Sequence, residues 1–76
     1  MRFYFHIADG TTWLDGEGLD LKDLHEAKTE ALQTSMELLP GCAEGHIWSG
    51  EQWKLWVTDQ PSGRGSTVLS LTFQAA

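Results

Sequence analysis

Phe3, Phe5 and Ile7 alternate with Arg2, Tyr4 and His6 at the start of the chain. A period of two sends the first set to one face and the second to the other, so residues 2–8 read as a half-buried strand. Asp9-Gly10 is a turn dipeptide, because glycine takes positive φ without steric cost. Thr11–Asp15 then reads as a shorter second strand, which Gly16-Glu17-Gly18 breaks. From there the period changes. Leu24, Ala27, Ala31, Ser35, Leu38 and Leu39 recur at helical spacing, with Glu26, Glu30, Gln33 and Glu37 opposite them. Asp23 is suited to cap this helix, and Glu26, three residues on, has the spacing of a capping box. Pro40-Gly41 is expected to end it. The small side chains Ala27, Ala31 and Ser35 at the centre of the stripe let the helix lie close on a sheet.

Residues 42–51 have no period and read as a loop. Alternation returns over Gln52–Asp59, with Trp53, Leu55 and Val57 against Lys54, Trp56 and Thr58. The stretch "DQPSGRG", residues 59–65, reads as a flexible turn. Ser66–Phe73 forms the last strand, with Leu69, Leu71 and Phe73 inward and Val68, Ser70 and Thr72 outward. The order is ββαββ in one domain spanning residues 1–76, with no linker to divide it. The expected fold is α+β: a four-stranded, mainly antiparallel sheet in the order 2-1-3-4, with one helix packed on one face.

Several short motifs resemble one known family. Arg2-Phe3-Tyr4-Phe5-His6-x-x-Asp9-Gly10 is similar to the opening of a small bacterial family of domains of unknown function, number 6894. Asp15-x-Glu17-Gly18 resembles that family's next segment, and Asp23-x-x-Glu26-Ala27-Lys28-x-Glu30-Ala31 its helix. Val57-x-Asp59 and Val68-x-x-Leu71-x-Phe73 resemble its closing hairpin. The tryptophan-rich stretch and the 59–65 turn depart from the usual pattern. The resemblance implies the ββαββ arrangement and brings no activity or catalytic residue with it.

Charge sharpens the picture. The net charge is −6, and the excess lies wholly between residues 9 and 37, where eight acids meet only Lys22 and Lys28. Such a field repels phosphate backbones and attracts basic surfaces. Cys42 is the sole cysteine, so no disulfide forms within the chain and a reducing, cytoplasmic setting is expected. The N-terminus lacks the apolar core of a signal peptide, and no apolar run reaches the ~20 residues of a membrane helix.

Candidate chemistry is sparse. Asp15, Glu17, Asp23 and Glu26 fall at positions 1, 3, 9 and 12 of a calcium-loop count, but Leu19 and Asp20 stand where that loop needs an oxygen ligand and a glycine. Cys42, Glu44 and His46 are close in sequence without the paired spacing of a zinc site or the base and orienting group of a cysteine nucleophile. Ser62-Gly63-Arg64-Gly65-Ser66 lacks the lysine and following helix of a phosphate loop. No metal, cofactor or catalytic set is therefore expected, and the chain reads as a non-enzymatic module.

Two surfaces stand out instead. One helix covers one face of a sheet, so Tyr4, His6, Trp56 and Val68 are expected on the uncovered face, joined by Trp13 or Leu14 and partly shielded by Trp48. This aromatic face suits self-association or a protein partner. Rings on an open sheet also suit base stacking, but Arg2 and Lys54 are too few cations for that use in a chain at −6. The second surface is acidic. Asp15, Glu17 and Asp20 with Glu26, Glu30 and Glu37 would engage a basic protein site, in the manner of an antitoxin-like or phage anti-immunity-like decoy.

Overall fold

A computed structural model describes residues 1–42 and 46–75. Strand β1 is Arg2–Ala8, β2 Thr12–Trp13 and β3 Leu19–Asp20; helix α1 is Leu24–Cys42, followed by β4 Trp53–Thr58 and β5 Thr67–Phe73. Short 3-10 turns occupy His46–Ser49 and Pro61–Gly63. The fold is α+β, with one helix and an antiparallel sheet whose path is β2-β1-β4-β5. That path reproduces the expected order of the long strands, but among the described residues the sheet has five strands and not four.

The extra strand comes from the segment after the first turn. β2 pairs with Ile7 and Ala8, whereas β3 pairs with Arg2 and Phe3 at the other end of β1. Between them the chain leaves the sheet. Asp15 Oδ2 accepts the Phe5 N–H at 3.1 Å, so a side chain takes a backbone donor that a continuous strand would have paired. Asp15 Oδ1 also accepts the N–H groups of Glu17 and Gly18, both at 3.0 Å, and turns the chain back toward β3. Gly18 lies in the left-handed region at φ +74, where a Cβ would fall 2.7 Å from Cε2 of Tyr4. A glycine is therefore required for the chain to pass over that ring.

α1 begins as expected. Asp23 Oδ1 accepts the Glu26 N–H at 3.0 Å, and Glu26 Oε1 accepts the Lys22 N–H at 2.7 Å, one residue earlier than a reciprocal capping box would place it. The end differs from expectation: the helix continues through Pro40 and Gly41 to Cys42. A proline one turn from the end removes only one intrahelical bond, and the helix absorbs that loss there.

The core joins Ala27 and Ala31 of α1 to Phe3, Trp53, Leu55 and Val57 of the sheet, all buried. The register explains the cluster. Phe5 lies opposite Val57 and Ile7 opposite Leu55, while Trp53, Leu55 and Val57 face Phe73, Leu71 and Leu69. Trp53 is 1% exposed and meets the edge of the Phe73 ring, with centroids 5.8 Å apart. Ser35 is also buried, and its hydroxyl donates to the Ala31 carbonyl, so the small stripe carries no unpaired polar group into the core. Among the described residues no helix is long and apolar enough to cross a membrane.

Candidate functional site

The sheet face away from the core cluster is closed at one end. His6, expected on an open surface, is 0% exposed, and Thr58 beside it is buried too. The covering comes from the Leu14–Gly18 detour and the Pro61–Gly63 turn, which are tied together by the Ser62 N–H donating to the Asp15 carbonyl at 2.8 Å. The 59–65 segment, expected to be flexible, is thus a pinned turn, and Asp59 Oδ1 holds its far side by accepting the Ser66 N–H.

Inside this closure the polar groups form one chain of hydrogen bonds. The Asp15 N–H donates to His6 Nδ1 at 2.9 Å, so Nδ1 carries no proton. The neutral ring then holds its proton on Nε2 and donates it to Thr58 Oγ1 at 2.7 Å. Thr58 in turn donates to the Gln60 carbonyl at 2.6 Å. Burial pulls the His6 pKa below the usual imidazole value, against an opposing pull from the Asp15 carboxylate. Burial pushes the Asp15 carboxyl up, yet the N–H groups of Gly18, Glu17 and Phe5 outweigh it and hold the pKa below the usual carboxylate value. The set has the residue types of a hydroxyl–histidine–carboxylate triad without its geometry. The carboxylate does not orient Nδ1, and the hydroxyl proton goes to a carbonyl and not to the ring. Its work is to satisfy buried groups where two loops meet.

The rest of the expected aromatic face is only partly available. Tyr4 is half-buried beneath Gly18, and Trp56 is half-buried, with the His6 ring 5.2 Å away and Lys54 Nζ 5.3 Å from its own centroid. Val68 packs against the core cluster, because an irregularity at Val57/Thr58 shifts the β5 register and interrupts strict alternation there. Trp13 pairs with Ile7 and therefore lies on the helix side, in a depression with Leu38 and Gly41. Trp48 also lies toward the helix and shields nothing on the far face.

The carboxylates do not converge. Asp15 is taken up by backbone donors, Glu26 by Lys22, and exposed Asp20 pairs with the N-terminal ammonium at 3.2 Å. Glu17 is exposed beside the detour, and by helical phase Glu26, Glu30 and Glu37 share one flank of α1. Among the described residues no group of three or more His, Cys, Asp or Glu side chains could hold a metal ion. Glu44 lies outside the described residues, as do the side chains of Cys42 and His46, and nothing is assigned to them.

A contiguous apolar surface lies between α1 and the edge strand β5. Met36, Leu39, Pro40, Trp48 and Phe73 line a groove of about 590 Å³. In line with it, Leu32, Leu69 and Leu71 line a second depression of about 280 Å³. Met36 and Trp48 are each 72% exposed. The central stripe of α1 meets β4, so β5 projects past the helix with its inward leucines half covered. Leu32 and Met36 stand off the central stripe of α1 and so fall outside its periodic set. Their four-residue spacing, beside a strand with no charged residue from 65 to 75, was the available signal.

No curated protein and no solved structure matches the chain. A family model does match, over residues 2–74, a span that takes in the Asp15 detour, the helix start and the closing hairpin described above. The chain belongs to the family described as domain of unknown function DUF6894.

Proposed function

We propose that this protein is a non-enzymatic interaction module whose docking surface is the groove between α1 and β5, not the opposite sheet face. The observation that carries the reading is the adjacency of Met36, Trp48 and Phe73 along one groove, since contiguous apolar surface marks contact sites where scattered apolar residues do not. The polar cluster at His6 supports it by contrast, because its groups are buried and mutually satisfied.

Isotope-labelled protein titrated with extract of its host tests this reading by chemical-shift mapping. Resonances of Leu32, Met36 and β5 are expected to move or broaden, and Met36→Glu should abolish the response while leaving the fold intact. A second reading, the acidic decoy, draws on Glu26, Glu30 and Glu37 sharing the other flank of α1. Perturbations confined to that flank and erased by high salt would favour the decoy and remove the groove.

A further inference from the structure

The groove ends at the free edge of the sheet, and the chemistry of that edge selects its occupant. β5 is the terminal strand of the path and, among the described residues, pairs only with β4, which leaves its outer backbone groups open to another strand. It runs seven residues, Thr67–Phe73, without a charge or a proline. Natural edges ordinarily carry such residues to prevent strand addition. The helix acids are kept away from it: Glu26, Glu30 and Glu37 lie across the helix from Lys28, Leu32 and Met36, whose flank borders the groove and carries no carboxylate. Asp59 stands just before the strand, where its Oδ1 accepts the Ser66 N–H. A chain with net charge −6 approaches its own copy only along a surface where acids do not meet acids.

We infer that the occupant is a second copy of this chain, paired β5 to β5 in antiparallel fashion across a two-fold axis at Ser70. The inference rests on the groove being the docking surface. A register centred on Ser70 sets Leu69 opposite Leu71 of the other copy and Ser70 opposite itself, with Val68 taken inward by the irregularity near the start of the strand. Each contact recurs with the copies exchanged, as a two-fold axis requires. Leu69 and Leu71 point to the helix side in both copies, so the two grooves face each other across the axis. Leu32 lines the same depression as those leucines and then faces its counterpart across the axis, with the Lys28 stem at the rim of the shared space. Strand pairing alone falls short of the roughly 800 Å² per partner of a standard interface. A stable dimer therefore requires contact along the helix flank as well.

Sedimentation or light scattering across a dilution series of the purified chain reads this directly. A mass of twice 8.5 kDa that halves on dilution is expected. Ser70 is exposed, so Ser70→Lys should unfold at the temperature of the parent diluted to its monomer yet remain monomeric at every concentration, because it sets two ammonium groups face to face. In a Cys42→Ser background, Ser70→Cys should form an intermolecular disulfide under mild oxidation. Thr12→Cys, on the opposite edge, should not. A parent that stays monomeric at high concentration overturns the inference, as does a dimer that Ser70→Lys leaves intact and Ser70→Cys does not cross-link. A monomer whose groove resonances still respond to host extract, through a partner strand or helix, loses the self-pairing but keeps the interaction module. A monomer without that response loses both.

Discussion

One edge of the sheet is built from β2 and β3, two residues each, with Asp15, Glu17 and Gly18 between them. The other is β5, seven residues long and uncharged. On the first edge the Phe5 N–H is consumed by a side chain of the same molecule. On the second the outer backbone groups of β5 have no strand beside them among the described residues. The first edge ends its own hydrogen-bond ladder with a carboxylate, a glycine over a tyrosine ring and a pinned turn. The second has none of these devices, although the chain has eleven acids with which to build one. Edge protection is thus a local matter of where charges and detours fall, and one sheet can be sealed on one side and left competent for pairing on the other.

The comparison breaks most sharply at Asp15. Asp15→Ala removes the acceptor of three backbone N–H groups, two of them partly buried, and leaving a buried donor unmet costs about 1–3 kcal/mol, so a loss of about 2–4 kcal/mol is expected in urea unfolding. Asp15→Asn keeps one oxygen and should lose less. A loss below about 1 kcal/mol for the alanine variant would show that this carboxylate does not hold the sealed edge.

Gly18→Ala comes next. Left-handed backbone costs an ordinary residue roughly 1–2 kcal/mol, and the overlap with Tyr4 adds to it, so a drop of about 2 kcal/mol in thermal unfolding is expected.

A smaller effect should appear with pH. The folded pKa of His6 lies below its unfolded value near 6.5, so the unfolded chain binds the extra proton. The contribution of His6 is therefore complete above about pH 6.5 and declines as the pH falls below it. Unfolding free energies measured between about pH 7 and pH 5 should fall, and the slope should flatten in His6→Gln. The share due to Asp15 is lost only at lower pH, as it falls below the usual carboxylate pKa of about 3.9. The smallest change is expected on the bare edge, where Thr72→Glu should alter monomer stability by no more than about 0.5 kcal/mol.

Alternation and helical period were enough to place β1, β4, β5 and α1, because each is long enough to repeat its pattern and each buries one side. They also separated Trp53 from Trp56: the first keeps company with Leu55 and Val57, the second with Lys54 and Thr58. The Asp23 cap was legible for a similar reason, since a cap acts within one turn. The split of the second strand was not legible. It depends on Asp15 reaching Phe5, ten residues away in sequence, and no local propensity records that bond. Burial of His6 and Thr58, which are 52 residues apart, required two loops to meet over the sheet. Val68 turned inward because a register irregularity belongs to a pair of strands and not to either one. Local pattern, written in side-chain size and polarity along a short stretch, determined the elements of this protein and their inner faces. Which outer faces stay open was decided only when separate segments closed over one end of the sheet and left β5 projecting past the helix at the other.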